Sequence, residues 1–126
     1  LLAMGCYEIS LGDTTGQGAE NTICTLLDLL CAHLPSNKLA GHFHDTNHQA
    51  IANVKLALGY GLRRFDSAIA GLGGCPYAPG AKGNVNTLAL HDALEQAGWH
   101  TGLNRDKLIS AEQVVTGMEL NRKDIR

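Results

Sequence analysis

The feature that most constrains this chain is its switching between two hydrophobic periods, runs that alternate every second residue and runs that recur every three to four. Cys6-Tyr7-Glu8-Ile9-Ser10-Leu11 alternates like a strand and stops at Gly12-Asp13, where a loop rich in threonine and glycine opens. From about Ala19 to His33 a helix is predicted, because Ile23, Leu26, Leu27, Leu30 and Leu34 recur at helical spacing before Pro35-Ser36-Asn37 breaks the pattern. Leu39 to Phe43 reads as the second strand. A second helix, about Gln49 to Tyr60, carries Ile51, Val54 and Leu58 on one side and ends at Gly61, a residue suited to a left-handed cap. Arg64 to Ala68 predicts a third strand. A glycine-rich loop follows from Gly71 to Gly83, and then helices at about Thr87 to Ala97 and Arg105 to Leu120.

Successive strands separated by helices argue for a parallel sheet, because parallel strands need a crossover and cannot be joined by tight hairpins. The fold class is therefore α/β. Three strands make a poor sheet on their own, since a parallel sheet wants both faces covered and its edges protected. A whole TIM (β/α)8 barrel takes about 250 residues and eight strands. The expectation is thus one partial catalytic domain over residues 1–126: about three βα units from the carboxy-terminal part of such a barrel, plus terminal helices, with the upstream strands absent.

Composition excludes some functions. The chain is 44% hydrophobic and 17% charged, with a formal net charge of -2 and scattered lysines and arginines. No basic footprint marks it for nucleic acid or an anionic membrane, so neither partner is expected. No stretch reaches the roughly 18 apolar residues that span a bilayer, and the first residues lack a secretory plan, so a cytoplasmic or mitochondrial-matrix setting is expected. Cys6, Cys24, Cys31 and Cys75 show no zinc-ribbon spacing, and reduced thiols are expected. Cys24 and Cys31 fall in the helical pattern as small core residues.

Three features can carry chemistry. His42-Phe43-His44 ends the second strand, and residues two apart in a strand point to one face, so both imidazoles can meet one cation. Two histidines at this spacing are also common as solvated or hydrogen-bonded residues. Position favours the metal reading, since ligands in parallel βα folds gather beyond the carboxyl ends of strands, where Asp13 also falls. Gly71-Leu72-Gly73-Gly74-Cys75-Pro76-Tyr77 places a thiol in the middle of a glycine loop. There it can act as proton donor, nucleophile or redox sensor, or be an incidental thiol. Asn84, at the far end of that loop, can offer a carboxamide oxygen to a cation or serve as an ordinary turn residue.

Taken together, Gly5 to Thr14, His42-Phe43-His44-Asp45-Thr46 and Ala70 to Tyr77 resemble successive blocks of the hydroxymethylglutaryl-coenzyme A lyases, in order and in spacing. Ala78 to Asn84 and His100-Thr101-Gly102 continue the likeness. The cysteine loop is the most specific block, because the related isopropylmalate and citramalate synthases and hydroxy-oxovalerate aldolases share the histidine pair without it. The resemblance implies a TIM-barrel lyase that cleaves a carbon-carbon bond of an acyl-coenzyme A substrate. It implies that His42, His44 and Asn84 hold a divalent cation, magnesium or manganese, that Asp13 sits beside the substrate hydroxyl, that Cys75 moves a proton, and that His42 counts with these two among the catalytic residues. A homodimer is compatible with it.

Departures from the family pattern are equally plain. A metal-binding aspartate and an enolate-stabilising arginine come, in the family, from a first barrel strand that this sequence does not contain, so these residues alone are expected to be inactive. Leu88-Ala89 replaces an acidic pair after Thr87, and Asn47-His48 replaces an aromatic-glycine pair. Two alternatives follow: a lyase for another 3-hydroxyacyl-coenzyme A, or an inactive truncated relative. His48 is expected to start a helix, and His33, His91 and His100 to lie without partners.

Overall fold

The computed structural model describes residues 1–74 and 83–123, the last five of these by backbone alone. Three strands, β1 (Ile9–Asp13), β2 (Leu39–Phe43) and β3 (Phe65–Asp66), pair in parallel in the order β1-β2-β3. Helix α1 (Glu20–Cys31) crosses from β1 to β2, and α2 (Ala50–Gly59) crosses from β2 to β3. Helices α3 (Thr87–Gln96) and α4 (Arg105–Lys123) follow. This is consecutive βα architecture, the α/β plan that the alternating periods predicted, and it matches part of a TIM barrel.

Register divides the sheet into two faces. Gly12, His42 and Asp66 lie side by side, as do Leu11, Gly41 and Phe65. Residues two apart along a strand share a face, so Leu39, Gly41 and Phe43 belong to one side and His42 and His44 to the other. The apolar side is the core: Leu39 and Phe43 pack with Ile23 and Leu27 of α1, Ala50, Val54 and Ala57 of α2, and Leu90 of α3. Gly41 is needed there, because a Cβ would come within 2.7 Å of the Phe43 ring. On the opposite side Ser10 and Asp66 remain exposed.

Three boundaries differ from expectation. β1 starts at Ile9, not Cys6, because Leu2–Met4 forms a 3-10 turn closed by Gly5 at φ 94. It also continues through Gly12-Asp13, which pair with His42 and Phe43. β3 is two residues long, since Ala68 bridges Asn86 and Ala70 turns at φ 54, which ends any extension of the strand. Gly61 caps α2 as predicted: at φ 92 it donates to Leu58 O, and Leu62 N donates to Ala57 O, the paired bonds of a Schellman motif. His48 precedes α2 in a left-handed conformation, φ 56, rather than starting the helix. Cys24 and Cys31 are partly buried free thiols, and Cys31 packs against the core.

Two histidines expected to stand alone have partners. His91 is buried on α3, with Nδ1 2.7 Å from Thr101 Oγ1, because α3 turns that residue inward beside the loop leading to α4. His100 Nδ1 lies 3.4 Å from Glu95 Oε1. Helix α3 is further fixed by Asn86, whose side chain accepts from Ala89 N and donates to Glu112 of α4.

Candidate metal centre

The carboxyl ends of β2 and β3 are joined by a returning segment. Asp45 N donates to Gly83 O and Val85 N to Phe43 O, while Ala68 N donates to Val85 O. Residues 83–85 therefore slot between the two strand ends, and Asn84 forms an antiparallel bridge with His44. Val85 anchors the segment by burying its side chain in the core.

This geometry sets the backbone of Asn84 against that of His44, whose ring lies beside that of His42. The two imidazole centres are 5.4 Å apart with a 44° tilt. Metal-nitrogen bonds run at about 2 Å, so rings at that separation can share one ion. His44 is 8% exposed, and its buried Nδ1 has no hydrogen-bond partner among the described residues. A buried polar nitrogen is costly unless something engages it. Asn84 Nδ2 donates to Leu72 O at 2.8 Å, and its carboxamide oxygen is the side chain's acceptor. Two imidazoles and an amide oxygen form a borderline-to-hard donor set without thiolate, suited to a divalent cation. Among the described residues no group of three or more His, Cys, Asp and Glu side chains is placed to hold a metal ion.

Asp13 does not share the histidine face. It is in register with Phe43, and its carboxylate accepts from Gln17 N at 3.2 Å and Gly18 N at 2.9 Å, tying down the loop that leaves β1. Asn53 of α2 secures the same loop from below by donating to Gly18 O at 2.8 Å. Asp45 accepts in the same way from Ala50 N at the start of α2. Cys75 lies outside the described residues.

Asp66 and Ser10 were missed by the sequence reading. Asp66 Oδ2 lies 3.2 Å from His42 Nδ1 and accepts from Ser10 Oγ at 3.1 Å. The available signal was an acidic residue inside the third predicted strand, two residues after Arg64. A cleft of about 380 Å3 opens beside Asn84, lined by Asp45, Ala70, Gly71, Gly83 and Asn86. Another cavity of about 410 Å3 lies on the helical side, between Phe65, Leu90 and the Arg63-Trp99 stack, and touches none of the three candidate ligands.

Comparison with known proteins bears on the family and the fold. The hydroxymethylglutaryl-CoA lyase of Pseudomonas mevalonii is 55% identical over 104 residues, covering 82% of this chain and 35% of that protein. The human mitochondrial hydroxymethylglutaryl-CoA lyase is 49% identical over 121 residues, covering 96% of this chain and 37% of its own length. The crystal structure of the HMG-CoA lyase from Brucella melitensis superimposes with a TM-score of 0.89 at 47% identity, over 93% of this chain and 41% of that one. The chain thus spans 25–38% of the length of the curated relatives it matches. The family model described as HMGL-like matches residues 1–115, and the chain belongs to that family.

Proposed function

We propose that this chain supplies part of the active site of a divalent-metal-dependent lyase that cleaves 3-hydroxy-3-methylglutaryl-coenzyme A to acetoacetate and acetyl-coenzyme A. The observation that carries the reading is the paired rings of His42 and His44 and the bridge of Asn84 to His44 at the carboxyl end of β2, where βα folds do their chemistry. Relatives that match 82% and 96% of the chain bear the name of this lyase. They include bacterial and mitochondrial proteins, which supports a cytoplasmic or matrix setting. Among the described residues no helix is long and apolar enough to cross a membrane.

In this reading His42, His44 and the Asn84 oxygen hold magnesium or manganese. Such a cation supplies Lewis acidity, easing loss of the proton from the substrate's tertiary hydroxyl. As the hydroxyl carbon becomes the ketone of acetoacetate, the carbon-carbon bond breaks and its electron pair passes to the acetyl-coenzyme A enolate. Hydrogen-bonding or positive groups must hold that charge until protonation. Cys75, on the glycine loop, donates the proton to the enolate carbon. Asp13, by gripping Gln17 and Gly18, fixes the loop bordering the site.

The test is intact mass and acetoacetate formation by the purified natural protein, with and without manganese. Metal-dependent release from a protein larger than this chain supports the reading, with the remaining barrel strands supplied by the same polypeptide. Cys75→Ser in that protein then removes most cleavage while metal stays bound. Metal-independent activity, or a Cys75→Ser variant with full turnover, overturns the corresponding assignment. Other 3-hydroxyacyl-coenzyme A esters assayed in parallel fix the substrate.

A further inference from the structure

We infer that Asp66, held by Ser10, is a positioning residue that selects the ring tautomer of His42 and so makes Nε2 the nitrogen available to a cation. The inference rests on the metal reading above and adds to it two residues with no role assigned there.

The argument starts from the register of the strands. Gly12, His42 and Asp66 lie side by side across β1, β2 and β3, and Ser10 is two residues before Gly12 on the same face. Because Gly12 has no side chain, nothing on β1 stands level with His42, and the ring leans toward β3. There its Nδ1 meets Asp66 Oδ2 at 3.2 Å. The Ser10 hydroxyl reaches the same oxygen from the far side of β2, at 3.1 Å. One carboxylate oxygen is therefore held from two strands.

The chemistry follows from what each group can do. A carboxylate accepts hydrogen bonds and does not donate them, so a neutral imidazole beside it must carry its proton on Nδ1. The Nε2 lone pair is then free. A histidine that binds a metal through one nitrogen commonly donates from the other to a carboxylate, which fixes ring orientation and raises basicity. Asp66 stands in that relation to His42, whereas His44 has no such partner on Nδ1 among the described residues. The two histidines are thus prepared differently, and His42 is the one whose orientation is preset.

The residues act in the order Ser10 to Asp66 to His42. Removing the hydroxyl loosens the carboxylate without touching the ring, whereas Asp66→Asn does something sharper. A carboxamide can turn its NH2 toward Nδ1, which favours the tautomer with the proton on Nε2 and blocks that nitrogen as a ligand.

The experiment is carried out on the full natural chain, labelled with 15N-histidine and free of metal, at about pH 8.5, above the ordinary imidazole range near 6.5. Long-range 1H–15N spectra report which His42 nitrogen is protonated, with His42→Ala assigning the signal. The expected result is the Nδ1-H form in the parent and a shift toward Nε2-H in Asp66→Asn. Manganese affinity, followed by the paramagnetic resonance of the free ion, should fall about 10- to 100-fold in Asp66→Asn. Ser10→Ala should fall by less, and Asp66→Glu should restore the parent tautomer. A parent ring protonated on Nε2, or a tautomer that Asp66→Asn leaves unchanged, overturns the inference even if manganese binds. If the parent and His44→Ala bind manganese equally weakly, the metal reading fails, and the positioning role toward a cation fails with it while the tautomer result stands.

Discussion

His44 and Asn84 are backbone neighbours, joined by an antiparallel bridge although one closes β2 and the other ends the glycine-rich loop after β3. The bridge sets Asn84 opposite a residue whose buried imidazole Nδ1 has no partner among the described residues. Asn84→Ala should therefore weaken manganese binding at least tenfold, about 1.4 kcal/mol. Its effect on folding should be small, since the side chain's hydrogen bond to Leu72 O is exposed. Calorimetric titration with manganese and thermal denaturation of the same samples separate the two effects. Unchanged affinity would remove Asn84 from the ligand set.

Asp13 is expected to matter first for stability. Its two oxygens satisfy Gln17 N and Gly18 N, and the site is tight: a Cβ on Gly18 would lie 2.8 Å from Asp13 Oδ2. Asp13→Ala leaves both amides without that acceptor and should cost about 1–3 kcal/mol in urea denaturation. Asp13→Asn, which keeps one oxygen acceptor, should cost less. Equal stability of all three proteins would show that the clamp contributes nothing to folding.

How much of this was legible in the sequence depends on the range of the interactions. β2 was read from Leu39 to Phe43 without error, because its position is written in five consecutive residues and in the break at Pro35-Ser36-Asn37. β3 was read too long, because Ala68 pairs with Asn86, a contact that no local pattern encodes. The histidine pair was legible from strand period alone. Its partner Asp66 was not, since recognising it requires the register that sets His42 beside it. The burial of His91 was hidden for a similar reason: only the fold brings Thr101 back against α3.

Gly61 offers a test of the cap that sequence did reveal. Its φ of 92 disfavours a side chain, and an added Cβ would come within 2.7 Å of Ser36 Oγ. Gly61→Ala should destabilise the chain by about 1–2 kcal/mol, the cost of a left-handed L-residue. Pairing it with Ser36→Gly relieves the contact but not the backbone conformation. The double variant should therefore recover only part of the loss in a double-mutant cycle of denaturation midpoints.

The corner between α3 and α4 should make stability depend on acid pH. Arg105 Nε and Nη2 donate to the two oxygens of Asp92, each at 2.8 Å, and this pairing holds the Asp92 carboxyl below the ordinary aspartate range. Glu95 is also lowered, chiefly by the hydrogen bond it accepts from Thr101 N. A group whose folded pKa is depressed binds protons less readily folded than unfolded, so its stabilisation is complete above the unfolded value and is lost as pH falls. That loss should begin near pH 4, the usual carboxylate range, and continue into stronger acid. Asp92→Asn should accordingly be less stable than the parent at neutral pH, with the difference shrinking as pH drops below 4. Both groups are partly exposed, so added salt should narrow the neutral-pH gap as well. Urea midpoints measured across this range at two salt concentrations check the prediction. A gap that stays constant with pH would mean that the ion pair is not what Asp92 contributes.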